Sequence, residues 1–343
     1  FKDFIDLNTA QGSTIRHSKK IGLEYEVPFP SKNNNINPKE VETLVSVIVE
    51  NILDKEKQIK VKQNKINQFI KEELLNNQGD DTYTYSYPKI TEIKKSKRLD
   101  TGIYEEKFNK LNFLISNYKN GFFKISEDKF SSGGTPKVRV FNPKNENYKW
   151  VTPAFISDEG FYNPSQTINM KEKNNISEDC ILIINRTSRG KKGEYVGISC
   201  FYDVNKYGVG HHNQGLYRVS EYSKEEKLFI VCLLNSEIYR KICGCVSIGS
   251  KMKEMKSVDF TEVKFLNFPE SIRKQIIEEY YKESNLKNKE SVTLTNYVEK
   301  SKLRNSELGI FQNSFEVVHL RKQLEDIIDK IINNQEIDVE SYL

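Results

Sequence analysis

No apolar run in this chain approaches the roughly 18–20 residues that a membrane-spanning helix needs, so a transmembrane reading fails at the outset. Histidine is scarce, at four residues, and there are five cysteines: Cys180, Cys200, Cys232, Cys243 and Cys245. Their odd number and their location in one stretch argue against a disulfide framework. There is no Cys-x-x-Cys pair, and the scattered histidines supply no metal-ligand spacing. The expectation is therefore a reduced, cytoplasmic protein without structural zinc.

The motifs of common catalysts are also missing. No Gly-x-Gly-x-x-Gly turn follows a strand, and no Gly-x-x-x-x-Gly-Lys-Ser/Thr loop exists; Gly133-Gly134-Thr135 has the wrong spacing. The Asn/Asp-Pro-Pro-aromatic motif that grips a flipped adenine is absent. Its nearest strings, Asn142-Pro143-Lys144 and Asn163-Pro164-Ser165, do not fit. His211 and His212 are candidates for a histidine-based site only by default, and a plain structural role suits them better. No catalytic site and no cofactor site stand out.

What is present is length and charge. The 343 residues carry 53 basic against 48 acidic side chains, a net charge of +5, with 37% hydrophobic residues. That length suits about two units. A mild positive excess is informative only where it clusters.

Residues 1–36 end in the loop "PFPSKNNNIN". Asn37 as N-cap, Pro38 at the first helical position and Glu40 in the first turn then predict a long helix over 37–78. Val41, Val45, Ile48, Ile52, Ile59, Ile66 and Phe69 follow a rhythm near 3.5 residues, interrupted where Lys55 and Lys62 take seam positions. Unbroken, it is about 55 Å long, which suits a spacer. Over 79–284 glycines, aromatics and short apolar runs such as "CILII", "YVGISCFY" and "GLYRVS" predict strands. "KLFIVCLLNSEIYRKIC" has the length of one buried helix, and "ESIRKQIIEEYYKES" is helical. In 285–343 an irregular stretch through Asn313 precedes "SFEVVHLRKQLEDIIDKIINN", which carries Val317, Leu320, Leu324, Ile327 and Ile331 at heptad spacing. Such stripes suit a local core face or an antiparallel pairing of the two helices.

One phrase occurs twice. "GSTIRHSKKIGLEYEVPFP", Gly12 to Pro30, and "GSKMKEMKSVDFTEVKFLNFP", Gly249 to Pro269, share a Gly-Ser start, a basic stretch, an acidic-apolar run and a Phe-Pro end. Each precedes a helix-like segment, which predicts a long-period internal repeat.

The residues suited to nucleic acid cluster in loops. Phosphates are held by Lys, Arg, hydroxyls and backbone N–H groups, and base edges are read by Arg, Lys, Asn and Gln. "NRTSRGKKG" gathers Arg186, Thr187, Ser188, Arg189, Lys191 and Lys192, although a solvated hairpin is the plainer reading. His212, Asn213 and Gln214 lie in "GHHNQG"; Asn213 and Gln214 suit adenine and are equally able to satisfy buried backbone groups. Thr135, Lys137 and Arg139 follow a Gly-Gly turn and suit phosphate or a simple turn. Lys251 and Lys253 in the second phrase, and Arg16 in the first, supply similar charge. Arg98 and Asp100 in "KRLDTGIY" are expected to pair and fix the chain as it enters the domain.

The order of these stretches resembles the specificity subunit of type I restriction–modification systems. The likeness is carried by "SKRLDTGIYEEKF" (96–108), "SSGGTPKVR" (131–139), "YKWVTPAFI" (148–156), "DCILIINRTSRGKKGEYVGI" (179–198), "GHHNQGLYRV" (210–219) and the two Gly-Ser phrases. Two departures stand out: the 186–192 loop is more basic than the family's Gly-rich form, and 285–313 has no family counterpart. The resemblance implies an α/β (α+β) fold, in which a globular target-recognition domain with a mixed sheet joins long helices forming an antiparallel coiled-coil spacer. It makes 1–36 the C-terminal remnant of a first recognition domain and 37–78 the first spacer helix. The second domain is then complete over 79–284, with a linker and second spacer helix over 285–343. It implies a non-catalytic bacterial protein that binds double-stranded DNA and positions DNA adenine methyltransferase subunits, with S-adenosylmethionine on that partner. In a full system an endonuclease subunit joins, and no membrane is involved. The target-recognition region of a single-chain type II enzyme–methyltransferase is the open alternative.

Overall fold

The computed structural model describes residues 37–96, 98–99, 101–135, 140–141, 148–169, 175–187, 195–249, 252–284 and 292–343. Two compact units emerge over these residues. One comprises Leu53–Lys289 with Ser301–Val318, the other the chain through Ile52, Glu290–Lys300 and His319–Leu343.

Helix α1 (Pro38–Asn76) starts as the sequence predicts, with the Asn37 side chain accepting from the Lys39 N–H at 3.2 Å and Glu40 in the first turn. In the smaller unit its first turns bury Val41, Leu44, Val47, Ile48 and Ile52. Asn51 donates to the Tyr297 hydroxyl there at 3.1 Å. In the larger unit its later turns contribute Ile59, Ile66, Ile70 and Leu74 to the main core.

The larger unit continues with α2 (Ile90–Ser96), α3 (Glu106–Ser116), β1 (Phe122–Phe123), β2 (Ser131–Ser132) and β3 (Val140–Phe141). Next come β4 (Tyr148–Val151), β5 (Thr167–Asn169), β6 (Asn175–Ile176), β7 (Cys180–Ile184), β8 (Arg186–Thr187) and β9 (Ser199–Tyr202). Then follow α4 (Val204–Tyr207), β10 (Gly210–His212), β11 (Leu216–Val219), α5 (Lys224–Leu234) and α6 (Glu237–Val246). The unit's sheet-bearing part closes with β12 (Lys253–Glu254), α7 (Ser257–Phe260), β13 (Phe265–Leu266) and α8 (Glu270–Tyr280). Helices α9 (Tyr297–Glu307) and α10 (Ile310–Ile332) complete the chain's regular elements. The fold is thus mixed helix and sheet, with a long helix ahead of the sheets and further helices after them.

Five strands are ordered β3-β5-β4-β10-β6 and four β2-β11-β7-β9; two short ladders pair β1 with β13 and β8 with β12. The β4–β10 pair is parallel and the other ladders are antiparallel. The run "CILII" is β7, buried at all five residues between β11 and β9, which is why it is continuously apolar rather than alternating.

Two expectations need correction. "KLFIVCLLNSEIYRKIC" is two helices, broken at Asn235-Ser236. The Ser236 side chain caps α6 by accepting from the Tyr239 N–H, while Asn235 bonds the Ser199 backbone in both directions. Apolarity reported burial there, and the Asn-Ser pair set the break. The irregular reading of 285–313 also fails in part, because α9 occupies Tyr297–Glu307. That helix carries little apolar periodicity, so its signal was weak.

The second Gly-Ser phrase lies within the larger unit, toward the end of its sheet-bearing part. Phe265 and Leu266 form β13 opposite Phe123 and Phe122, and Phe268 packs on the Tyr118 and Phe229 rings. Helix α8 follows at once. Gly249 opens the phrase at φ +116, and a Cβ there would stand 2.0 Å from the Met252 carbonyl oxygen, so the turn into β12 requires glycine. The first copy, Gly12 to Pro30, lies outside the described residues.

Candidate nucleic-acid interface

Where the chain passes from the five-stranded to the four-stranded sheet, it turns through Asn213, Gln214 and Gly215, between β10 and β11. Asn213 makes the turn local, its Oδ1 accepting from the Gly215 N–H at 2.9 Å. Its backbone N–H donates to Val151 of β4 at 3.0 Å, and its carbonyl accepts from Leu216 at 3.1 Å. Gln214, at the tip, is exposed, and Asn213 is half-buried.

Asn185, only 4% exposed, fastens three segments at this turn. Its N–H donates to the Gly215 carbonyl at 3.0 Å and its Nδ2 to the Gln214 carbonyl at 3.3 Å. Its own carbonyl accepts from the Met255 N–H at 2.8 Å, just after β12. The next residues, Arg186 and Thr187, pair with Glu254 and Lys253. Arg186 and Thr187, at the start of the basic stretch, and the second Gly-Ser phrase, far apart in sequence, are therefore neighbours across one short ladder.

The Gly-Gly turn joins the same place. Gly134 donates to the His212 carbonyl at 3.1 Å, and the His211 Nε2 lies 2.9 Å from the Gly134 carbonyl oxygen. His211 itself stacks flat on Trp150 of β4, 5.6 Å between centroids and 5° apart. Thr135 follows directly and is exposed. The β10–β11 turn and the start of the basic stretch border a cleft of about 490 Å³, whose walls include Arg186, Thr187, Asn213, Gln214, Ala154 and Met252.

Of the residues singled out from the sequence, Arg186, Thr187, Asn213 and Gln214 line this cleft, while Thr135 follows Gly134, which is bonded to His212, and Lys253 pairs with Thr187 across the ladder. Arg16, Lys137, Arg139, Ser188, Arg189, Lys191, Lys192 and Lys251 lie outside the described residues. His212 is a correction: at 1% exposure, with Nε2 3.4 Å from the Ser131 carbonyl, it is buried under the turn and offers nothing to a base. Arg98 pairs with Asp259 at 3.6 Å and donates to the Val246 carbonyl at 2.8 Å; Asp100 lies outside the described residues. Sequence reasoning missed Asn185 and Met252. Asn185 sits in the quoted "INRT" string, but a buried hub has no signature distinct from a loop asparagine.

Burial drives the His212 pKa down to about 4, with the Arg218 and His211 charges adding to the effect against the Ser131 hydrogen bond. A histidine whose folded pKa is depressed is protonated more readily in the unfolded chain. Stability is thus expected to fall as pH drops below the unfolded value near 6.5, with no further loss below about 4. By pH 5 the loss is about 2 kcal/mol. Urea unfolding at pH 7 and pH 5 should show a smaller difference for His212→Gln than for the wild type; an equal difference would refute this assignment.

Among the described residues, no group of three or more His, Cys, Asp or Glu side chains could hold a metal ion. All five cysteines are buried and free. No described helix is long and apolar enough to cross a membrane. No protein-family model matches this chain, and no curated protein matches it.

Proposed function

We propose that the chain is a sequence-specific DNA-recognition subunit of a restriction–modification complex, reading part of a bipartite target and holding a DNA adenine methyltransferase on it. The observation that carries this reading is the convergence of Arg186, Thr187, Asn213 and Gln214, from two separate stretches, on one cleft, with Lys253 joined to Thr187 across the adjoining ladder. These are the side-chain types that hold phosphates and read base edges. The order of motifs resembling the type I specificity subunit supports the same reading. In it, α1 and α10 form the antiparallel coiled-coil spacer, residues 79–284 the recognition domain, and 1–36 the end of another. The chain has no chemistry of its own, and S-adenosylmethionine sits on the methyltransferase; an endonuclease subunit completes the assembly in the bacterial cytoplasm.

Selection from a randomised duplex library should enrich one motif, with binding that weakens steeply as salt rises. Arg186→Ala is expected to weaken the selected duplex by roughly tenfold and relax one position. Lys253→Ala should weaken all duplexes alike and flatten the slope of log K against log salt by about one. Unselective, salt-insensitive binding would overturn the proposal.

A further inference from the structure

The cleft is lined by side chains of two different chemistries. One is that of Gln214, exposed at the tip of a turn whose backbone is fixed by Asn185 and Asn213. Its neighbour Asn213 already spends its side-chain oxygen on the Gly215 N–H at 2.9 Å. Only a side chain with both its carbonyl and its amide directed outward can make the paired contact to N6 and N7 of adenine. The other is that of Met252, 50% exposed although flanked by lysine in the sequence, with the exposed Ala154 bordering the same space. A polarizable thioether chain beside a methyl group is an apolar contact surface, suited to the C5-methyl that distinguishes thymine in the major groove.

Resting on the DNA-binding reading above, we infer that this cleft reads an A·T pair: Gln214 contacts the adenine, and Met252 with Ala154 covers the thymine methyl. Asn213 is then a positioning residue, holding the turn and touching no base. Arg186 stands beside the pair, where a guanine or a phosphate is the complementary partner. A glutamine and an apolar group bordering one cleft match the two halves of one A·T pair, and the pair with the opposite order puts the methyl against the amide.

The test uses the full chain and the duplex motif enriched in the selection described above. At one A·T position, Gln214→Ala should lose roughly tenfold or more of the preference for A·T over the other three pairs, with the remaining positions unchanged. Replacing the thymine there by deoxyuridine removes only the methyl, and should weaken wild-type binding about three- to fivefold. Met252→Ala should bind the thymine and deoxyuridine duplexes equally. Asn213→Ala separates positioning from contact: it should weaken every duplex, selected or not, with the A·T preference intact among the complexes that form. An enriched motif that survives Gln214→Ala unchanged, or a wild type indifferent to deoxyuridine at every position, overturns the inference while leaving DNA recognition standing. No enriched motif at all overturns the DNA-binding reading and this inference with it.

Discussion

Lys55→Ala lowers the stability of the chain by about 3–5 kcal/mol, the combined cost of a void in a buried row and of buried polar groups that lose the ammonium they bond. Lys55 lies on the heptad row of Val41 and Ile48, and only 1% of its side chain is exposed. Its ammonium has three hydrogens and three acceptors: Asn305 Oδ1 at 2.6 Å, Glu316 Oε2 at 2.6 Å and Asn313 Oδ1 at 3.5 Å. Burial pulls its pKa below the ordinary lysine value, against the pull of Glu316 in the other direction. Burial likewise pushes Glu316 up, but the charges and hydrogen bonds of Lys55 and Arg304 outweigh it and hold that carboxyl below its usual value. Alanine leaves a void and two asparagine oxygens without their donor. Glu316 keeps its two bonds from Arg304, at 2.7 and 2.5 Å.

That surviving pair makes the prediction discriminating. Lys55→Met fills the volume without the charge, and should cost only about 1–2 kcal/mol, since the carboxylate remains paired. Glu316→Gln should be worse than Lys55→Met, because it leaves a buried ammonium without its counter-charge. In a double-mutant cycle by urea unfolding, the coupling between Lys55 and Glu316 should be about 1–3 kcal/mol. Additive single mutants would show that the pair contributes nothing beyond its packing.

This network also marks how far the sequence could be read. Lys55 and Lys62 were visible as polar interruptions of an apolar row, yet both are buried, with Lys62 bonded to Glu279 at 3.3 Å and to the Ser306 carbonyl at 3.0 Å. Their partners Asn305, Ser306 and Asn313 lie in a stretch that looked irregular, because polar partners leave no periodic trace. The long helix, "CILII" and the heptad run of α10 were legible, since each buries a face whose spacing is fixed by its own geometry. Two-residue ladders such as β8–β12 were not, for alternation needs more residues than they possess. The candidate site followed the same division. Arg186, Asn213 and Gln214 were recognisable by type, whereas their meeting depends on where the chain crosses between sheets. His212 was misjudged because two adjacent histidines in a Gly-flanked string look like a loop, and burial on a strand cannot be told from that pattern.

Gly133→Ala should cost about 2–4 kcal/mol and disable the interface, whereas Gly134→Ala, one residue on, should change stability by no more than about 0.5 kcal/mol. A Cβ on Gly133 would stand 2.2 Å from the Asn213 carbonyl oxygen and 2.4 Å from that of His212. Both obstacles are backbone, held by the β4–β10–β11 hydrogen bonds, so no rotamer change relieves the clash. The Gly-Gly turn must move away, and with it go the 3.1 Å bond from Gly134 to His212 and the contact of His211 with the Gly134 carbonyl. At Gly134 an added Cβ meets nothing within 4 Å. The loss of binding on Gly133→Ala should exceed tenfold under conditions where the variant remains folded, since the added Cβ strikes the backbone of His212 and Asn213, at the base of the turn that carries Gln214. Thermal unfolding and duplex binding of the two variants, measured side by side, separate a steric requirement from a mere preference for glycine. Equal effects at both positions would mean that the two backbones do not approach as closely as described.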